Sequence, residues 1–216
     1  MFIKKRRSGR INVEFSQLYM SQESRKLDLQ KLRQETAADH LAVEGALPLM
    51  NEGLDRAEYA ACLSRIYGLV SAWEERAAAV APDWMRAMLA ARQRAGLLQR
   101  DLAWLGVVGQ GEGNPILPEM NNLPSLLGTM YVMEGSTLGG QLIARHVEAA
   151  LDLSEGEGDA YFRGHGKDTG AMWKEFCEVL ANRVPDSDAG AVVLSAKEMF
   201  AVFGAWVRGE PVIDGS

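Results

Sequence analysis

Three glycines and a serine interrupt the longest apolar helical run of this chain. They fall in Tyr131-Val132-Met133-Glu134-Gly135-Ser136-Thr137-Leu138-Gly139-Gly140-Gln141, inside a stretch that reads as helix from Leu123 to Leu151. Each glycine in a helix interior costs about 1 kcal/mol relative to alanine, so roughly 3 kcal/mol must be offset here. Gly135 and Gly139 are four apart, as are Ser136 and Gly140, which puts all four on one side of the helix. A face without side chains admits something flat at close range. Helix backbone and a planar ligand both qualify. Glu134, Arg145 and His146 in the same stretch argue against a membrane-dimer reading of the glycine spacing.

The rest of the pattern is helical as well. A first helix is expected from Ser24 to Met50, carrying Leu27, Leu29, Leu32, Leu41 and Val43. Asn51-Glu52-Gly53 ends it. Asp55 is a fitting N-cap for a second helix to Val80, with Leu63, Ile66, Tyr67 and Val70 on one face. Pro82-Asp83 restarts the chain, and a third helix is expected from Trp84 to Leu105. Glycine and proline make Gly106 to Pro118 a loop, and Ser154 to Gly166 a second one. Helices near Asp168–Asn182 and Asp188–Val207 close the pattern. An all-α, single-domain fold is the expectation over residues 23–208, with a basic arm at 1–22 and a tail at 209–216.

Composition narrows the function. The chain has 216 residues, and 47% of them are hydrophobic, which suits one domain with a sizeable core. A net charge of -6 disfavours general nucleic-acid binding. Basic residues cluster only in Lys4-Lys5-Arg6-Arg7, which reads as a solvated arm without the apolar core of a secretory signal. Cys62 and Cys177 form no metal-binding or redox motif, so a reducing cytoplasm is expected. No uncharged stretch is long enough for a transmembrane helix, and no membrane role is expected.

Three histidines occur, His40, His146 and His165. Glu44 lies one helical turn beyond His40. A carboxylate there can take the proton of one imidazole nitrogen and leave the other free for a metal. Arg33 lies two turns before His40, where a cation reaches about 10 Å along the axis at 1.5 Å per residue. Spacing alone leaves two readings of His40 open, a metal ligand or a surface histidine among salt-bridging neighbours. His146 points away from the bare face and reads as structural. His165 sits in a loop. Serine-hydrolase, phosphate-loop and di-iron templates have no match.

With these residues in hand, the chain resembles the biliverdin-producing heme oxygenases, especially the bacterial members associated with bacteriophytochromes. Three motifs in order carry the resemblance. They are Leu32-Arg33 with Thr36, His40 and Glu44; Tyr131 through Gln141; and Tyr161-Phe162-Arg163-Gly164-His165-Gly166 followed by Gly170, Trp173 and Phe176.

The resemblance implies a helical fold with heme, as cofactor and substrate, between a proximal and a distal helix. His40 would ligate the iron and Glu44 would orient it. Gly135, Ser136, Gly139 and Gly140 would form the distal wall. Arg33, Tyr131 and Lys174 would hold the propionates. Mammalian-type members carry an aspartate where Ser136 stands; bacterial relatives commonly lack it as well, and the resemblance leaves the route of the distal proton open. The implied reaction opens heme with dioxygen to biliverdin, carbon monoxide and ferrous iron. The chain has no flavin, nicotinamide or iron–sulfur motif, so a separate reductase, ferredoxin or flavodoxin would supply electrons. A bacteriophytochrome would be a suitable recipient of the product. The alternatives are a heme-binding or heme-trafficking protein without turnover, and a helical interaction domain.

Overall fold

Side chains at the helix starts fix where the chain turns. In the computed structural model, which describes residues 26–107 and 115–210, Asp28 accepts from the amides of Gln30 and Lys31 at 2.9 and 3.2 Å. This caps α1, Leu29–Glu35, and α2 follows as Ala37–Ala46. Asp55 and Glu58 form a reciprocal capping box at the start of α3, Arg56–Val80. Asn122 and Ser125 do the same for α6, Leu123–Leu151, with Pro124 in its first turn. Between them lie α4, Asp83–Ala90, and α5, Ala95–Trp104. A short α7, Ala160–Arg163, precedes α8, Thr169–Arg183, and α9, Ala189–Val207. The described residues contain no strand beyond one isolated bridge between Lys26 and Pro185. The basic arm, the Gly109–Gly113 segment and the last six residues lie outside the described residues.

Two expected helices are each split. The first breaks at Thr36, whose buried hydroxyl donates to the Leu32 carbonyl at 2.9 Å. Such back-bonding competes with regular helix geometry and bends it. The third breaks at residues 91–94, because Glu74 on α3 accepts from the amides of Arg94 and Ala95 at 2.6 and 3.1 Å. A carboxylate from another helix thereby caps α5.

Helix α9 packs along α6 and also supports α2, so it stands behind both helices of the proposed site. Its apolar sequence passes the length and hydropathy test for a membrane span, with half of that window buried in the fold. At the α6–α9 crossing, a Cβ added to Gly128 would meet the Val192 carbonyl. Trp73 on α3 donates from its indole to Thr129 on α6 at 3.0 Å, inside the core. Burial of Tyr59, Leu63, Ile66, Leu69, Leu127, Met130, Phe176 and Met199 gives one continuous apolar centre.

Candidate functional site

The break at Thr36 decides how the first motif presents its residues. His40 lies beyond it on α2, with its ring edge-on to Phe200 of α9 at 5.8 Å between centroids. Its Nδ1 is 3.7 Å from the Glu44 carboxylate, and both side chains are more than half exposed. That separation is too long for a direct hydrogen bond, and the exposed side chains are free to close it. Arg33 lies before the break and is also exposed. Its charge reaches the Tyr131 phenol on α6. Burial pushes that phenol up, while Thr36 and the Arg33 cation pull it back. Thr36 and Arg33 therefore bring the first motif against the second. Tyr131 packs in turn on Trp173 of α8, with centroids 5.7 Å apart.

The four small residues of α6 do different jobs. A Cβ added at Gly139 meets nothing within 4 Å, and one at Gly135 meets only the Trp173 ring, at 3.9 Å. These two positions form the open glycine face. Gly140 is buried, and an added Cβ would collide with the Phe162 carbonyl. Its missing side chain lets α7 approach. Ser136 is half-buried and donates to the Met133 carbonyl at 2.7 Å. The expected bare face of four residues thus narrows to Gly135 and Gly139. Consecutive helical residues differ by about 100°, which turns Ser136 and Gly140 towards the interior.

Two buried arginines from the turn between α4 and α5 hold this helix from behind. Arg92 pairs with Glu134 at 3.0 Å, both side chains being nearly inaccessible, and reaches Glu175 and the Met172 carbonyl on α8. Burial pushes the Glu134 carboxyl up, and Arg94 and Arg92 pull it back. Arg94 donates through one nitrogen, Nη2, to the Met133 carbonyl at 2.6 Å and to the Ser136 hydroxyl at 3.2 Å. Its guanidinium lies 5.0 Å from the centroid of the Tyr161 ring. Neither arginine stands out in the sequence. The one available signal was Glu134, since a carboxylate inside an apolar helix needs a buried cation.

The third motif splits between support and surface. Arg163 pairs with Glu148, Glu155 and Asp159, and Gln141 donates to the Arg163 carbonyl at 2.9 Å. This ties α7 to the glycine-rich helix. Lys174 is largely exposed and 4.0 Å from Glu178. His146 approaches the Asn51 carbonyl at 3.4 Å, a structural contact. His165 is half-buried, and its Nε2 is sealed from solvent without a partner.

Among the described residues, α2 carries the His40–Glu44 pair and α6 an open face at Gly135 and Gly139. Known proteins place the chain more firmly. A curated heme oxygenase of Xanthomonas campestris pv. campestris (strain 8004) is 30% identical over 164 residues, covering 73% of this chain and 93% of that protein. The heme oxygenase structure from Leptospira interrogans superposes with a TM-score of 0.69 at 20% identity, covering 82% of this chain and 97% of that one. Heme oxygenase-1 of Synechocystis sp. PCC 6803, solved in complex with heme, superposes with a TM-score of 0.64 at 17% identity, covering 83% and 90%. The sequence model of the Heme oxygenase family matches residues 27–209, which include the split first helix, the glycine-rich helix and the α7–α8 segment together, and the chain belongs to the heme oxygenase family.

Proposed function

We propose that this chain binds heme and opens it oxidatively to biliverdin, carbon monoxide and ferrous iron. The observation that carries the reading is the open Gly135–Gly139 face on α6, together with the His40–Glu44 pair on α2. Family membership supports it. The residues fit the group: an added Cβ at Gly139 meets nothing within 4 Å, and the donor set is an imidazole with a carboxylate one turn on.

When bound, heme supplies both the redox-active iron and the carbon framework that is oxidised. The chain's own residues do the rest. His40 would offer Nε2 as the iron ligand, and Glu44, 3.7 Å from Nδ1, would close on that nitrogen to fix the tautomer. An imidazole ligand would give the iron less electron push than a thiolate. Arg33 and Lys174 offer charge, and Tyr131 a hydroxyl, to the two propionates. Gly135 and Gly139 let α6 backbone approach the ring plane, which leaves room for dioxygen and excludes bulk water. Electrons come from a separate reductase, ferredoxin or flavodoxin, and a bacteriophytochrome is a fitting acceptor of the product.

Hemin titration tests the binding half of this reading. Wild-type chain is expected to take up one equivalent with a shifted Soret band, and His40→Ala to alter the band by changing the iron ligation. An identical spectrum for the two proteins would remove His40 from the site. A normal Soret band with no ring opening on reduction in air would instead favour a heme-carrying protein.

A further inference from the structure

The docking of α7 on the glycine-rich helix depends on a crowded cluster of acids. α7 is a single turn, and glycines with positive φ flank it, Gly156 and Gly158 before it and Gly164 and Gly166 after it. Such positions let a short element swing as a unit. Three contacts fix it. Tyr59 of α3 donates to the Gly158 carbonyl at 2.6 Å, Asp101 of α5 accepts from the Ala160 and Tyr161 amides, and Gln141 of α6 donates to the Arg163 carbonyl. The Phe162 carbonyl occupies the room that Gly140 leaves, one residue from the open position at Gly139.

Asp159 begins this turn and is fully buried. Its Oδ2 accepts from Arg163 Nε at 2.6 Å, whereas its Oδ1 has no hydrogen-bond partner among the described residues. Arg163 also pairs with Glu148 of α6 and Glu155 of the preceding loop, so one cation answers three carboxylates. The other ionisable groups around them are Tyr59 and Cys62 on α3, Asp101 and Arg100 on α5, and Arg145 on α6. With every acid ionised, the cluster would hold an uncompensated charge out of water. The Glu148 and Asp159 carboxyl groups are hydrogen-bonding neighbours, and two carboxyl groups bond to each other only when one carries a proton. Burial, then the bond to Glu148, push Asp159 up to about 6. That same bond, then Arg163, hold Glu148 below its ordinary range, so the proton sits on Asp159.

We propose that a proton shared by Asp159 and Glu148 latches α7 onto α6, and that its loss lets α7 swing away and frees the glycine-rich helix at Gly140. The docked form keeps the proton. On opening, Asp159 reaches water and gives the proton to solvent, so opening becomes more favourable as pH rises towards the value at which the docked carboxyl titrates, and levels off above it. Asp159 is a positioning residue and touches no ligand. The effect of the latch on a ligand at Gly139 rests on the heme reading of that face.

Native-state hydrogen exchange on the full chain tests the latch without hemin. The Arg163 and Gly164 amides donate to the Asp159 and Ala160 carbonyls within α7. They are expected to exchange through an opening smaller than global unfolding, with less protection than the amides of α9. Their protection should fall about tenfold between pH 5 and 7.5, as follows for a carboxyl that titrates at about 6 when docked and near 3.8 when open. Asp159→Asn, which resembles the protonated acid, should keep the protection constant. Glu148→Gln, whose amide can donate to an ionised Asp159, should flatten the fall. With hemin bound, transfer to an acceptor apoprotein at pH 7.5 should be slower from Asp159→Asn than from wild type. Wild-type α7 protection that equals that of α9, or that does not change with pH, would overturn the latch, as would equal hemin transfer from the two proteins. Failure of the wild-type chain to bind hemin would overturn the heme reading instead, and the exchange data are independent of it.

Discussion

A Cβ added at Gly139 meets no atom within 4 Å, whereas one added at Gly140 runs into the Phe162 carbonyl. Adjacent glycines therefore separate ligand access from packing. Gly140→Ala is expected to lower stability by about 1–3 kcal/mol, the usual cost of forcing atoms into a packed contact. Gly139→Ala is expected to raise stability by up to about 1 kcal/mol through helix propensity. It should nevertheless weaken hemin binding, because its methyl group enters the space above α6. Denaturant unfolding and hemin titration on the two variants check both signs. Spacing made the small-residue cluster legible, but it could not say which glycine faces which neighbour. The 100° between Gly139 and Gly140 acquires meaning only once α7 is in place.

At the level of elements, α6 is held by ion pairs that cross the sequence. Arg92 and Glu134 are 42 residues apart and both sealed from solvent. Removing one partner of such a pair leaves an uncompensated buried charge, so Glu134→Ala is expected to cost about 3–5 kcal/mol. Replacing both, as Arg92→Met with Glu134→Leu, should cost less than the single change. A double-mutant cycle by urea unfolding measures the difference. The ends of α3 and α6 could be read in advance, because Asp55 with Glu58 and Asn122 with Pro124 act within one turn. The breaks were not equally visible. Thr36 is an ordinary residue until its hydroxyl folds back on Leu32, and the gap between α4 and α5 depends on Glu74, twenty residues before Arg94. The same distance hid Arg92 and Arg94, whereas the spacing of His40 and Glu44 is local.

Over the whole molecule, buried acids tie the ends of α5, α6 and α7 together. Asp101 accepts from the amides of Ala160 and Tyr161 at 2.9 and 2.8 Å. Asp159 is fully buried beside Arg163, and burial together with the neighbouring Glu148 carboxylate pushes it up to about 6. The folded chain thus keeps this proton where the unfolded chain, near the ordinary 3.8, has lost it. Between about pH 4 and 6 the folded state binds more protons, so this group's contribution to stability falls as pH rises. Asp159→Asn is expected to remove that slope, and urea unfolding across the window measures it. The helical architecture was open to sequence reading because 3.6-residue periodicity runs almost end to end. The joining of α6 to α5 and α7 was not, since it depends on charges that meet only after folding. The central claim concerns the chemistry that this arrangement serves. Its most direct measurement is the fate of stoichiometric hemin bound to the purified chain, supplied with ascorbate or a reductase system under air. The expected result is loss of the Soret band with appearance of biliverdin and release of carbon monoxide; a Soret band that persists under these conditions, with no biliverdin formed, would contradict it.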